Sequence, residues 1–513
     1  MDLIKEPFTR TSIAQQAISQ MPFDIERDYT VQWDFVLTAV LWSALFIWGS
    51  YALLKKKDFF DTNISGKLEG IGAVLQSKGD YIKVVRLIAG GPAWKQGDLE
   101  ANDLIIKVQQ EGKEALDIMG MSINNVVKII KGKKGTKVIL TVQKLDKTYQ
   151  EINITRDIIE LEESFLKSCI VTNTNGKKYG YIYLPQFYIN FKQKNSRSAS
   201  SDMKKVLADF NEENVSGILL DLRHNGGGAL QTAIDIAGFF IKKGAIVQVR
   251  HKKNQVETYK DPDPKMHWKK SLVIIVDAGS ASASEILAAA MQDYGRALVM
   301  GTQTFGKGTV QNILDLNRYA PQYMGPLGAL KFTIQKFYRV NGGSTQIKGV
   351  TPDIKYPDPY KYSEVREGDK KSVLSWDKVP AVFFEDSDSF YSNFKEVVNT
   401  VQKRIYTQNH FQNIKSYAKI IKSKHSISYY PLTIAASKIV DEKDRKKMSK
   451  YEDLFKHHSN LKFSPTAIDK KKFVKDTIDK QRKMKWLKTL PEDVYITEGI
   501  LVLSMLKMKP LRK

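Results

Sequence analysis

Alternate serines ahead of a helix-like segment are the first residues of this sequence that could do chemistry. Residues 278–312 read AGSASASEILAAAMQDYGRALVMGTQTFGKGTVQN, and the stretch from Ser282 to Glu285 has the S-x-x-E form of a helix capping box. A helix that begins here would present unpaired backbone N–H groups and the positive end of its dipole to an oxyanion. The residue types alone leave Ser280, Ser282 and Ser284 equally eligible as a nucleophile.

Lys307, between two glycines in the same segment, is the predicted base for such a serine. A serine hydroxyl is a poor nucleophile until a base accepts its proton. None of the seven histidines lies in a recognisable triad context, and no G-x-S-x-G motif is present. Burial of Lys307 beside Phe305 would disfavour the ammonium form and lower the pKa of the lysine, so that the neutral amine could accept a proton. Gln311 follows in the same segment and is an amide that could orient this amine.

A glycine-rich turn is the second chemical signal. Residues 218–230, ILLDLRHNGGGAL, place an apolar strand before three glycines and a helix. Such a turn presents backbone N–H groups to an anion, either a phosphate or the oxyanion of acyl transfer. The spacing fits neither the P-loop nor the dinucleotide-binding motif, which counts against nucleotide binding. A tight strand-to-helix turn without a ligand explains the three glycines equally well.

Four segments of the chain must position these groups. We divide it into an N-terminal segment at 1–60, a β-rich domain at 62–150, an α/β core at 151–357 and a helical region at 358–513. In the core, nearly uninterrupted apolar strands alternate with helical segments, which indicates an α/β layer around a largely buried sheet. The last segment is lysine-rich and low in glycine, and no motif in it indicates chemistry. The predicted fold class is mixed α/β in several domains.

The N-terminal segment contains one stretch of membrane-spanning length. Residues 35–54, FVLTAVLWSALFIWGSYALL, carry no charge, and Lys55, Lys56 and Lys57 follow directly. Twenty helical residues at about 1.5 Å each span the roughly 30 Å hydrocarbon core of a bilayer. We expect a transmembrane helix here, with a buried core helix as the alternative. The three lysines favour a cytoplasmic location for the C-terminal side.

The β-rich domain resembles a PDZ domain. Short stretches in which apolar and polar residues alternate, separated by glycine turns, predict strands. The stretch NNVVKIIKG predicts one helix between them. GGPAWKQGDLEANDLI is similar to a PDZ pattern, and Gly70-Ile71-Gly72-Ala73 falls at the position of the carboxylate-binding loop. In such a loop, backbone N–H groups bind the terminal carboxylate while the neighbouring strand edge accepts the peptide.

Composition limits the classes of function that remain. The chain has 513 residues, and 80 lysines and arginines against 56 acidic residues give it a net charge of +24. This positive charge could bind nucleic acid or an anionic membrane surface. The lysines are spread along the chain, however, and no nucleic-acid-binding motif accompanies them. Cys169 is the only cysteine, so an internal disulfide and a cysteine-based zinc site are excluded. We predict no metal and no cofactor.

Five motifs together make the chain resemble the bacterial C-terminal processing peptidases, and within them the tail-specific proteases. They are SGKLEGIGAVLQ, DLRHNGGGAL, SASASEI, TFGKGTVQ and KFYRVNGGSTQ, followed by KGVTPDI. The resemblance runs from about residue 64 to 355, and LPEDVYITEGILVLSMLK extends it towards the C-terminus. It implies a ClpP/crotonase-like α/β protease core with a PDZ domain inserted in it or preceding it, and a helical C-terminal region.

By this resemblance, Ser282 is the nucleophile, Lys307 the general base and Gln311 the group that positions the lysine. The implied oxyanion-hole donors are backbone N–H groups, namely those of Ala283 and of Gly227 or Gly228. The implied substrates are proteins with apolar C-terminal tails, held by the PDZ domain and cut by a serine endopeptidase without a cofactor. An adaptor protein is a further possible partner under this resemblance. It also implies the cell envelope, at the inner membrane facing the periplasm, which the orientation predicted from the three lysines contradicts.

Two alternatives from other classes remain. A membrane-attached PDZ scaffold would bind tailed proteins without cutting them. A basic nucleic-acid binder, which we rank last, would lose affinity steeply as salt rises.

Overall fold

The computed structural model describes residues 67–510, apart from 89, 161, 190–196, 252–254, 317–318, 320–328, 383–389, 426–432, 452–453, 455–456 and 475. The apolar run at 35–54 lies outside these residues, so the transmembrane helix stays a prediction. No helix in the described part of the chain is long and apolar enough to cross a membrane. Except for those between 314 and 330, the described residues fall in one compact unit, Asp58–Ile313 with Lys331–Lys513.

The first part of the chain forms a small antiparallel sheet with one main helix. Its elements are β1 (Lys67–Gly70), β2 (Ala73–Lys78), β3 (Tyr81–Leu87), α1 (Pro92–Gln96), β4 (Leu104–Gln110), β5 (Leu116–Asp117), α2 (Ile123–Ile130), β6 (Lys137–Gln143), β7 (Tyr149–Thr155) and β8 (Asp157–Glu160). The sheet order is β2-β3-β4-β6-β7, with β5 beside β4, while β1 pairs with β8. Alternate side chains of β6, at Val138, Leu140 and Val142, are buried with Val126 of α2. This period of two is the signal that predicts the strands.

The core is built on a second, larger sheet. Its elements are β9 (Lys167–Thr172), β10 (Lys178–Tyr183), α3 (Ala199–Glu212), β11 (Gly217–Asp221), α4 (Leu230–Gly238), β12 (Ala245–Arg250), β13 (Val256–Lys260), β14 (Ser271–Val276), α5 (Ala283–Asp293), β15 (Leu298–Gly301), β16 (Thr309–Asp315), β17 (Ala329–Tyr338) and β18 (Ile354–Lys355). The five strands β18-β15-β14-β11-β10 run parallel, and β9 pairs antiparallel with β10. A four-stranded sheet, β13-β12-β17-β16, accompanies them.

Both faces of the large sheet are buried. On one face, Leu220 and Ile274 pack with residues of α3, α4 and α5. On the other face, Leu219 and Ile275 pack with the C-terminal region, including Leu503. Burial on both faces explains why these strands read as continuous apolar runs in the sequence.

The C-terminal region is mainly helical, as predicted. Its elements are α6 (Phe394–Thr407), α7 (Asn409–His425), α8 (Ile434–Ser449), β19 (Lys462–Ser464), α9 (Ala467–Phe473), α10 (Thr477–Thr489) and α11 (Val494–Met505). It also adds β19 to the large sheet, antiparallel to β9. A Cβ placed on Gly499 of α11 would lie 2.6 Å from Leu219 Cδ1, so only glycine allows this close approach. The predicted mixed α/β fold class is confirmed.

Candidate active site

The three serines around the start of α5 differ in exposure and in hydrogen bonding. Ser280 and Ser284 are fully buried, and their hydroxyls donate to the carbonyl oxygens of Leu222 and Asn225, each at 2.8 Å. Ser282 is partly exposed; its hydroxyl faces the Glu285 backbone N–H in the capping box of α5 and donates to no described residue. Its backbone has φ +57°, the left-handed region that is uncommon for residues other than glycine. The structure therefore separates one hydroxyl whose proton is not committed to a described acceptor from two whose protons bond to buried carbonyl groups.

The glycine turn after β11 lies directly against Ser282. A Cβ placed on Gly227, whose φ is +104°, would lie 2.9 Å from Ser282 Cβ and 3.1 Å from the backbone nitrogen of Ala283. Any larger residue would clash with the serine. This contact places the glycine-rich turn next to the serine segment, as an oxyanion site would require.

The backbone donors of the turn are not equivalent. The Gly227 N–H donates to Asn225 Oδ1 at 2.9 Å, whereas the N–H groups of Gly228 and Ala283 donate to no other described residue. Of the two glycines named from the sequence, Gly228 has the free donor. Two such groups beside a serine could hold an oxyanion.

Asn225 was missed by the sequence analysis. It is fully buried, its Nδ2 donates to the Leu184 carbonyl at 2.8 Å, and its own carbonyl accepts from the Ala281 N–H and the Ser284 hydroxyl. These bonds tie the glycine turn to the segment that carries Ser282. The DLRHNGGG motif contains this asparagine, but its partners are distant in sequence and could not be identified there.

Lys307 lies just before β16, and its Nζ donates to Gln311 Oε1 at 3.3 Å. Burial, followed by the positive charge of Lys331, lowers the pKa of Lys307 below its ordinary value. A lowered pKa increases the fraction of neutral amine, which is the form that can accept a proton.

Glu285 connects the serine segment with the lysine segment. This carboxylate is fully buried and accepts from the backbone N–H groups of Ser282 at 2.8 Å, Gly306 at 2.7 Å and Lys307 at 2.9 Å. The Thr304 hydroxyl donates to it at 2.6 Å. Burial raises the pKa of Glu285 to about 7, although the four hydrogen bonds act in the opposite direction. The S-x-x-E spacing predicted the contact with Ser282 but not the contact with the lysine.

A histidine also lies at the site, although the sequence analysis found none in a triad context. His224 Nδ1 lies 2.9 Å from Asp277 Oδ2, and the His224 N–H donates to Asp277 Oδ1 at 2.9 Å. The hydrogen bond with Asp277 raises the pKa of His224. Its position beside the glycine turn in DLRHNGGG was the available signal.

Several of these groups line one cavity of about 720 Å³. Its lining includes Lys307, Gln311, His224, Asp277 and Gln346. Within the described ranges, no group of three or more histidine, cysteine, aspartate or glutamate residues could hold a metal ion.

The predicted carboxylate-binding loop lies at the start of the edge strand β2. Gly72 has φ +79°, and the carbonyls of Gly72 and Ile71 accept from the N–H groups of Ile88 and Ala93 at 2.8 Å. The N–H groups of Ile71 and Gly72 themselves donate to no described residue. Gly70 ends β1, and Ala73 begins β2, whose outer edge pairs with no described strand. Free donors beside an open strand edge are what a peptide C-terminus requires.

Three segments of the chain match known families. Residues 61–143 match the PDZ domain, residues 178–356 match peptidase family S41, and residues 360–507 match the C-terminal domain of tail specific protease. The PDZ domain of a carboxy-terminal protease from Vibrio cholerae, solved in complex with a peptide, is 45% identical and covers 18% of this chain and 97% of that chain, with a TM-score of 0.18.

Two curated relatives extend the similarity over most of the described chain. The tail-specific protease of Haemophilus influenzae is 36% identical over 399 residues, which are 77% of this chain and 56% of the relative. The carboxy-terminal-processing protease of Bartonella bacilliformis is 35% identical over 324 residues, which are 62% of this chain and 68% of the relative. This chain thus spans little more than half the length of the first relative. It belongs to peptidase family S41, among the carboxy-terminal-processing proteases.

Proposed function

We propose that this protein is a serine endopeptidase that binds apolar C-terminal tails through its PDZ domain and cleaves the tailed protein with a Ser282–Lys307 dyad. The observation that carries the proposal is the Glu285 carboxylate, which accepts from the backbone N–H groups of both Ser282 and Lys307. One buried carboxylate thereby bonds to the backbone of both the serine and the lysine of lowered pKa.

In the first step, the Ser282 hydroxyl attacks the scissile carbonyl carbon while its proton passes to the neutral Lys307 amine. A new bond forms between Oγ and this carbon, and the carbonyl π electrons move to oxygen. The resulting oxyanion accepts hydrogen bonds from the N–H groups of Gly228 and Ala283, at the positive end of α5. Gln311 accepts from the lysine and limits its rotation.

In the second step, the tetrahedral intermediate collapses and the C–N bond breaks. The leaving nitrogen takes the proton from the Lys307 ammonium, and an acyl-enzyme remains on Ser282. Water then attacks the ester and gives its proton to Lys307. The second intermediate releases the acid product, and the proton returns from Lys307 to the serine oxygen.

Substrate choice is assigned to the PDZ domain. The free N–H groups of Ile71 and Gly72 would bind the tail carboxylate, and the open edge of β2 would bind the tail as an added strand. An adaptor protein is compatible with this arrangement. Protein substrates with apolar tails are therefore the proposed partners.

We further propose a location in the cell envelope, which rests on the family resemblance and on the apolar run at 35–54. Protease protection of the full chain in sealed vesicles tests it, because the peptidase domain is digested on one side of the membrane only. The orientation predicted from Lys55, Lys56 and Lys57 would place that domain in the cytoplasm.

A cleavage assay tests the peptidase proposal. A folded test protein with an apolar tail is incubated with the wild type, with Ser282→Ala and with Lys307→Ala, and we expect cleavage by the wild type only. Lys348→Ala, an exposed lysine outside the cavity lining, is the matched control and should cleave normally. Binding of the tail without cleavage by the wild type would favour the scaffold, and cleavage by Ser282→Ala would exclude this nucleophile.

His224 offers a rival base in the same cavity, so it needs its own variant. We expect His224→Ala to retain most of the activity, because Lys307 is the proposed proton acceptor. Loss of activity in His224→Ala together with retention in Lys307→Ala would assign the base to the histidine.

A further inference from the structure

The cavity contains a buried amide that the proposed mechanism does not use. Gln346 belongs to the GGSTQ motif and is 0% exposed, yet it lines the same cavity as Lys307. Its Nε2 has no hydrogen-bond partner among the described residues. A buried donor without a partner destabilises the fold, so its presence at a cavity wall points to a ligand that supplies an acceptor.

The orientation of this amide is fixed by its other end. Gln346 Oε1 accepts from the Gly308 N–H at 2.8 Å. Turning the amide over would place its NH₂ group against this N–H donor, which would lose the bond and oppose two donors. The NH₂ end is therefore the end left without a partner.

The loop that carries Gln346 is also held tightly. The Ile347 N–H donates to the Gly306 carbonyl at 2.8 Å, and the Gln346 N–H donates to Ser344 Oγ at 3.1 Å. Ile347 has φ +65°, a strained conformation for a β-branched residue. Because the loop is bonded to the glycines on both sides of Lys307, the free donor has a fixed position relative to the proposed base.

We propose that Gln346 Nε2 donates a hydrogen bond to a main-chain carbonyl oxygen of the substrate in the cleft. This inference rests on the proposed function for the identity of the ligand, a polypeptide. The amide nitrogen can only donate, and a carbonyl acceptor is present in every peptide unit. Gln346 is thus a binding residue that recognises the substrate backbone whatever the substrate's side chains are. The PDZ domain binds the C-terminal tail.

Peptide affinity in the inactive Ser282→Ala background tests the proposal without turnover. Two short peptides of different, uncharged sequence carry an amidated C-terminus, which removes the carboxylate that the PDZ loop would bind. Gln346→Glu keeps an acceptor for Gly308 and replaces the donor with an oxygen. We expect the dissociation constants of both peptides to rise by about tenfold, as expected for the loss of a hydrogen bond of ordinary strength.

Thr345→Val is the matched control, because Thr345 Oγ1 is also buried without a partner but does not line the cavity. It should leave both affinities unchanged. An unchanged affinity in folded Gln346→Glu overturns the proposal, and so does a loss confined to one peptide, which would indicate a side-chain contact. If Gln346→Glu does not fold, Gln346→Met is measured in the same way, with a loss of at least about threefold expected and unchanged affinity overturning the proposal.

The two proposals fail in distinguishable ways. If the wild type does not cleave a tailed protein but Gln346→Glu loses peptide affinity, the peptidase assignment is wrong and the backbone contact stands. If cleavage occurs and the affinity is unchanged, only the role of Gln346 is wrong.

Discussion

The PDZ loop and the active-site turn both use glycines at positive φ to leave backbone N–H groups free, but they differ in what holds them. The PDZ loop beside β2 is supported by two backbone hydrogen bonds, to Ile88 and Ala93. The turn at Gly227 and Gly228 is supported by the buried side chain of Asn225, and the facing serine by that of Glu285. A permanent carboxylate can be bound by an adaptable loop, whereas an oxyanion that exists only in the transition state needs donors that are already in place.

The largest effect that would test this difference is expected from Glu285→Gln. Whichever way the new amide is turned, its NH₂ group would face at least one backbone N–H donor, so the buried connection between the serine and lysine segments would be weakened. We expect kcat to fall on the order of a hundredfold, because small displacements of reacting groups are costly. The measurement is kcat on a tailed substrate, together with the affinity of a tail peptide for the PDZ domain. A comparable loss of tail affinity would show that the two regions do not have separate supports.

A smaller effect in the other region is expected from Gly72→Ala. Gly72 has φ +79°, and a Cβ there would lie 3.2 Å from the Gly91 Cα, so the loop must shift. We expect the affinity for a tail peptide to fall by roughly tenfold, as the left-handed conformation costs a non-glycine residue about 1–2 kcal/mol. Cleavage of a peptide with an amidated C-terminus should be unchanged. Gly79→Ala, with φ +59° and open space around its Cβ, is the matched control for backbone strain alone.

The smallest effects concern the charges around Lys307, and two variants should move the pH profile in opposite directions. The positive charge of Lys331 lowers the pKa of Lys307 and the negative charge of Glu367 raises it. With Lys307 as the proposed base, activity requires its neutral amine and should rise as pH increases through this pKa. Lys331→Ala should shift the rising limb of kcat/KM to higher pH, and Glu367→Gln to lower pH. Shifts of the same sign in both variants would contradict the role of Lys307 as the base, and high salt should reduce both.

The sequence predicted the elements well because their signals are local. Alternation in the strands of the first domain, apolar runs in β11 and β14, and the two glycine turns at the proposed anion sites follow from period and turn chemistry. These patterns predicted the mixed α/β fold class and the order of its parts, and the resemblance predicted the family.

The contacts that distinguish individual site residues are not local, and the sequence did not reveal them. Ser280 and Ser284 differ from Ser282 only through partners on other elements, the carbonyls of Leu222 and Asn225. Glu285 and His224 likewise acquire their positions from residues far along the chain. Nothing in the sequence between 358 and 513 indicated that β19 would extend the core sheet, although strands apolar on both faces required a second covering layer.

That covering layer includes α11, which lies near the end of the described chain and is therefore among the last of these elements to be synthesised. Until α11 is available, one face of the central sheet, including Leu219 and Ile275, lacks the packing contacts that this helix supplies. Arg223, next to the glycine turn, also lacks its ion pair with Asp493, 2.8 Å away in the finished protein. A chain that lacks α11 therefore lacks both these packing contacts and the ion pair beside the glycine turn, so we expect the proposed site to be completed only when α11 is in place.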